Sequence, residues 1–245
     1  MSSAPVLPDG WTLVALQSVG STNDEAVRLA EAGAPEHTFV WAREQTGGRG
    51  RRGRSWASPP GNIYCSTILR PDCSAQQAAE IGFVAALAVA DLVPRERAVR
   101  LKWPNDVLVD GGKVAGILPE SSIGQGGKVE YVVLGIGLNV GFAPQLPEMR
   151  YPGAMLGGTV EAAAERLANA LRRWLTEWRQ SGFEEIRAGW MAKAGPFGAV
   201  VDVKLGEGLI SGRFAGLDAD GALLLDTPTG PRRIVSGELL GLVPS

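Results

Sequence analysis

The sequence predicts an α+β protein, and three observations carry that expectation. Strand and helix candidates are interspersed over residues 1–195, and the stretch 128–140 is almost continuously apolar, as a central strand buried on both faces would be. Short β segments divided by glycine turns then fill residues 196–245, a texture that suggests a small barrel. With 245 residues, 45% of them hydrophobic and 20% charged, the chain has the composition of a well-cored globular protein rather than a disordered one.

Taken in order, residues 12–17 read as a strand, and Ser21-Thr22-Asn23-Asp24-Glu25 as a helix start with Thr22 and Glu25 spaced as a capping box. Ala26, Leu29 and Ala30 form the stripe of that helix and Gly33 ends it. Residues 38–43 and 62–69 read as strands that flank a glycine-rich loop. Residues 74–93 form an alanine-rich helix that is apolar over most of its circumference, so it belongs against a sheet. Three strands are expected at 98–103, 113–118 and 128–140, with turns at Gly111-Gly112 and residues 124–127. Ala164, Leu167, Leu171, Trp174 and Trp178 recur at helical spacing over 160–180, ahead of Gly182. Past a boundary near residue 195, strands are expected at 199–205, 209–217, 222–226 and 232–235.

The loop between the strands at 38–43 and 62–69 is the feature that speaks to function. From Arg43 to Arg54 it holds five arginines, four glycines and one acid, a setting for an anionic ligand such as a polyphosphate or nucleic acid. Gly48, Gly50 and Gly53 match GxGxxG, but Ser-Trp-Ala-Ser-Pro-Pro-Gly follows, where a dinucleotide-binding turn would open into a helix. No HRD or DFG triplet accompanies it, which excludes a kinase loop, and the glycine spacing of a Walker A loop is absent ahead of Lys113. The formal net charge of −2 confines the positive charge to this one place and weakens a nucleic-acid reading. One histidine, His37, cannot build a multi-histidine metal site, and Cys65 and Cys73 read as reduced thiols of a cytoplasmic protein without a leader. The longest apolar stretch, 81–93, is too short to span a bilayer. A second polar cluster, Lys102-Trp103-Pro104-Asn105-Asp106 with Lys113, adds cations and a carboxylate of the kind used at a phosphoryl centre.

Five motifs in order resemble the biotin protein ligases, within the biotin/lipoate ligase superfamily. They are Ser21-Thr22-Asn23, the loop from Gln45 to Trp56, Lys102-Trp-Pro-Asn-Asp106, Lys113-Val-Ala-Gly-Ile-Leu118 and Gly135-Ile-Gly-Leu-Asn139. The resemblance implies a class II synthetase-like catalytic domain, a mixed sheet flanked by helices, followed by a small SH3-like β-barrel. It further implies that biotin and ATP form biotinyl-5′-AMP, with Mg²⁺ expected, and that biotin then passes to a lysine of a biotin carboxyl carrier protein. Such carriers belong to acetyl-CoA carboxylase or a related carboxylase.

By the same resemblance, Lys113, Arg51, Asp106 and Lys102 are catalytic, and Ser21, Thr22, Asn23 and Gln45 bind biotin. Gly48, Arg49, Gly50, Arg51, Arg54, Trp56, Lys113, Gly116 and Asn139 complete the ligand-binding set. Asp106 is given either metal binding or activation of the carrier lysine. Only about twenty residues precede Ser21, so no winged-helix DNA-binding domain and no specific DNA binding are expected. Family members can pair through the sheet edge, so a homodimer stands among the implied partners. The arginine loop is expected to be mobile and to order on anionic ligands. A lipoate or octanoate ligase and a non-catalytic polyanion-binding module are the competing readings.

Overall fold

The computed structural model describes residues 4–145, 151–195 and 197–240. The strands β1 (Thr12–Val19), β2 (Thr38–Gln45) and β3 (Ile63–Leu69) come first, with helix α1 (Thr22–Glu31) between the first two. Helix α2 (Ala75–Ala90) leads to β4 (Val99–Lys102), β5 (Asp106–Val109), β6 (Gly112–Ile123) and β7 (Val129–Leu138). These seven strands form one sheet in the order β1-β2-β3-β7-β6-β5-β4. Only β1 and β2 run parallel, joined by the α1 crossover, so the sheet is mixed.

Each face of the sheet is covered for a reason visible in the sequence. Ala26 and Ala30 of α1 are small enough to bring that helix onto Val40, Ile68, Tyr131 and Val133. On the other side α2, capped by a reciprocal Ser74–Gln77 box, buries nearly all its side chains against the sheet and against helix α3 (Val160–Ser181). Gly182, at φ 75°, ends α3 in a conformation that favours glycine and starts helix α4 (Phe183–Met191). Neither α4 nor β5 was legible, because each is a short run directly adjoining a stronger element.

Two expectations are corrected. The Thr22–Glu25 capping box is absent: Ser21 is the residue before the helix, makes no side-chain cap, and the Thr22 hydroxyl instead donates to Gln45 Oε1 at 3.0 Å. The C-terminal SH3-like barrel does not form either. Strands β8 (Val200–Leu205), β9 (Gly208–Leu217), β10 (Leu223–Thr227), β11 (Gly230–Ile234) and β12 (Glu238–Leu239) make an open antiparallel sheet in the order β11-β10-β9-β8-β12. A barrel requires each strand to be paired on both sides, but β12 offers two residues, both paired to β8, and no ladder joins it to β11 among the described residues. The inner face, including Val203, Phe214, Leu223 and Leu225, belongs to the same apolar cluster as Phe83, Phe183 and Trp190 of the helices. Burial against the helices removes the need to close the sheet on itself.

Candidate active site

The strand ends, the arginine loop and the edge of the C-terminal sheet enclose one cleft. Ser21, Thr22, Asn23, Gln45, Arg49, Gly50, Arg51, Arg54, Trp56, Lys102, Asp106, Lys113 and Gly116 all line it, so residues separated by up to 95 positions in the chain meet as the motif pattern anticipates. Two expected residues lie elsewhere. Gly48 sits beneath the loop, where an added Cβ would lie 2.5 Å from Ser58 Oγ and 2.6 Å from Trp56 O. Asn139 is buried behind β6, its amide donating to Lys113 O at 3.3 Å and Ala154 O at 3.0 Å. By the family resemblance the adenine pocket falls within residues 142–158, of which 146–150 lie outside the described residues.

One end of the cleft is neutral and hydrogen-bonded. Gln45 Oε1 accepts from both the backbone N–H (2.8 Å) and the hydroxyl of Thr22, while its Nε2 donates to Ser58 Oγ at 3.0 Å. Ser66, on the β3 face that the cleft overlies, donates to Thr22 Oγ1 or Asn23 Oδ1 at 2.9 and 2.6 Å. The Asn23 amide in turn donates to Glu120 Oε2 at 2.6 Å. Thr22, Asn23, Gln45 and Ser66 thus hold one another in place before any ligand arrives. Trp56 stands above it, its ring against Gly116 and Gly137. A Cβ at Gly116 would come within 3.0 Å of the indole, so the close approach of loop and sheet requires glycine there. The Trp56 indole N–H is buried with no hydrogen-bond partner among the described residues.

The other end is charged. Asp106, at the start of β5, bridges Lys113 Nζ at 2.6 Å and Lys102 Nζ at 3.0 Å. Burial alone would raise its pKa, but the ammonium groups of Lys113 and Lys102 outweigh burial and hold the carboxyl below its usual value. Lys113 Nζ also lies 5.3 Å above the Trp56 ring, joining the charged end to the aromatic one. Lys102 lies 5.0 Å from the Tyr151 ring.

The arginine loop folds on itself between these ends. Gly50 N–H donates to Arg54 O at 2.7 Å, Trp56 N–H to Gly48 O at 2.9 Å, and Arg52 takes a left-handed φ of 57° at the tip. Arg49 pairs with Asp24 and, at 3.8 Å, with Glu120. Arg54 makes a bidentate pair with Glu238 at 2.7 and 2.5 Å, and Arg51 donates to Gly237 O at 3.3 Å. Burial is the main influence on Arg51 and, with Arg52 beside it, lowers its pKa, whereas the Glu238 bond raises that of Arg54. Glu238 and Gly237 were missed in the sequence. They lie 184 and 186 positions from their arginines, and no local pattern marks them. Asp24 directly follows the Ser21-Thr22-Asn23 motif, where the sequence marks only a helix start.

A metal at Asp106 would have to displace a lysine. Both its oxygens are engaged by ammonium groups, and among the described residues no cluster of three or more His, Cys, Asp or Glu side chains could hold a metal. Its chemistry is that of a counter-ion that fixes two lysines. No helix among the described residues is long and apolar enough to cross a membrane.

Comparison with known proteins identifies the family. Residues 15–139 match the biotin/lipoate A/B protein ligase family, and residues 198–239 match the biotin protein ligase C terminal domain. The chain is 42% identical over 238 residues to the biotin–[acetyl-CoA-carboxylase] ligase of Paracoccus denitrificans, covering 91% of this chain and 98% of that one. It is 33% identical to the bifunctional ligase/repressor BirA of Bacillus subtilis, over 94% of this chain and 74% of the relative. Among solved structures, the biotin protein ligase from Aquifex aeolicus in complex with biotin and ATP superposes with a TM-score of 0.77 at 29% identity, covering 93% of this chain and 97% of that one.

Proposed function

Because the chain belongs to the biotin protein ligases of the biotin/lipoate A/B protein ligase family, we propose that it activates biotin with ATP and transfers it to a lysine of a biotin carboxyl carrier protein. The observation that carries this reading is the division of one cleft into a neutral hydrogen-bonded end and a cationic end, with Trp56 and Lys113 where they meet. A neutral bicyclic acid with a ureido group suits the first end, and a triphosphate suits the second.

Activation brings together two anions. A biotin carboxylate oxygen attacks the α-phosphorus of ATP, the bond to the β-phosphate oxygen breaks, and pyrophosphate leaves. Two negative groups a few ångströms apart repel by several kcal/mol at an effective dielectric constant of about 20. Lys113 is placed to lower that cost by contacting both groups, with Lys102, Arg49, Arg51 and Arg54 flanking the phosphates. Arg51 serves both the biotin side and the loop that closes over it. Asp106 bridges the two ammonium groups and so holds both at the wall of the cleft.

In transfer, the neutral amine of the carrier lysine attacks the carbonyl carbon of the mixed anhydride. The carbonyl carbon to phosphate-oxygen bond breaks, AMP leaves, and the proton lost by the amine passes to water. Asp106 lines the cleft, and exchange of one of its two lysine partners for the incoming amine would let its carboxylate orient that amine. The carrier of an acetyl-CoA carboxylase or a related carboxylase is the acceptor this reading implies. With biotin, ATP and such a carrier, intact mass of the carrier should rise by one biotinyl group. A carrier whose acceptor lysine is replaced by arginine should show no gain, and an unmodified native carrier would contradict the transfer step.

A further inference from the structure

Asn62 stands just before β3, outside every motif that pointed to function, and it is 1% exposed. Its Oδ1 accepts from three successive backbone N–H groups, those of Val140 (2.8 Å), Gly141 (3.2 Å) and Phe142 (3.1 Å). Its Nδ2 donates to Phe142 O at 2.9 Å and lies 3.4 Å from Asn139 Oδ1. One buried amide therefore fixes the whole exit from β7. Asn139 carries the link onward, because its own amide donates to Lys113 O and Ala154 O. The two backbones it joins are bonded to each other as well. Lys113 N–H donates to Pro152 O at 2.8 Å, and Ala154 N–H to Lys113 O at 2.9 Å.

The main chain of Lys113 is thus held on one side by β5 and on the other by residues 152–154, where Asn139, itself beside Asn62, donates to Ala154 O. Asn62 also closes the arginine loop: Gly141 N–H donates to Gly61 O at 2.9 Å, so the loop exit and the β7 exit are bonded side by side. None of these bonds reaches the neutral end of the cleft, where Thr22, Asn23, Gln45 and Ser66 bond to one another and to Ser58, Leu118 O and Glu120.

We propose that Asn62 is a positioning residue for the ATP side of the site, acting through Asn139 on the backbone that carries Lys113. This rests on the biotin-and-ATP reading above. A buried amide with this many partners leaves several unsatisfied groups when truncated, and the exit of β7 then loses its fixed register. The disturbance falls on the backbone of Lys113 and on residues 152–154; biotin's one carboxylate contact weakens, but its floor keeps its own hydrogen bonds, so its affinity changes far less than that of ATP.

The test is steady-state pyrophosphate release by Asn62→Ala and Asn62→Asp, with biotin affinity measured separately by calorimetry. Asn62→Ala should raise KM for ATP about tenfold and leave the Kd for biotin within twofold. Asn62→Asp keeps the oxygen to which the three N–H groups donate, so its KM should fall between wild type and Asn62→Ala. Equal effects on ATP and biotin, a fall in kcat with both constants unchanged, or an aspartate variant no better than alanine would overturn the assignment. If Asn62→Ala does not fold, the comparison of Asn62→Asp with wild type decides alone, on the same split between ATP and biotin. Wild-type protein that releases no pyrophosphate with biotin would instead refute the proposed function, a result separable from any behaviour of the variants.

Discussion

In the proposed reaction Asp106 and Lys113 are the central pair, and each makes a different prediction. Lys113 is only partly buried, so Lys113→Ala should fold, yet lose about 10²- to 10³-fold in biotin-dependent pyrophosphate release, the scale at which a single group stabilising developing charge contributes. Retained activity would remove it from the reacting centre. For Asp106, burial works against ionisation and the two ammonium groups work for it, with a net lowering from 3.8. A carboxyl whose folded pKa is depressed stabilises the fold fully above its unfolded value and loses that contribution as pH falls through the folded one. The stability difference between wild type and Asp106→Asn should therefore be flat above about pH 5 and change only in acid below roughly pH 4. Urea titrations across pH 2–7 measure it, and a change centred near neutrality would contradict the assignment. Both residues were legible as motif members, but their mutual contact was not: the bulge between Val107 and Leu108 shifts the β5–β6 register beside them, and such an irregularity has no signature in residue types.

At the scale of elements, the arginine loop is better tethered than its composition suggests. Four glycines and five like charges predict a mobile segment, but Arg43, Arg49 and Arg54 have acidic partners on α3, α1 with β6, and β12 respectively. The pair at Arg54 is exposed enough that Glu238→Ala should cost less than about 1 kcal/mol of global stability. It should nevertheless speed amide exchange over residues 50–54, because the loop has few other outside anchors. Exchange unchanged in that variant would mean that the loop's own hydrogen bonds suffice. Biotin plus ATP should slow exchange over residues 47–56 in the wild type, as anions neutralise the arginines; unchanged protection would rule out closure. The elements themselves were readable wherever periodicity ran long, as in α2, α3 and β7. They were unreadable where a short run touched a longer one, as with α4 and β5, or where a side chain had a better partner than its local one, as with Thr22.

Across the whole molecule, the seven-stranded sheet and the open C-terminal sheet share a single apolar cluster through α2 and α4. The barrel expectation failed here because strand spacing reports how many strands exist, while closure depends on which faces the helices already cover. The shared core also explains how residues of β12 reach a cleft built by β2, β5, β6 and β7: packing of the second sheet against α4 brings the Gly237–Glu238 edge over the arginine loop. What makes the assembly an enzyme, on this account, is that the neutral and cationic ends face one space, so that a specific uncharged ring system delivers its carboxylate to the α-phosphate. Acid-dependent pyrophosphate release from ATP tests that most directly, with biotin, lipoate, octanoate or no acid supplied to the same preparation. Release that requires biotin and is not supported by lipoate or octanoate is the predicted result; release with lipoate instead of biotin, or with no acid dependence at all, would contradict it.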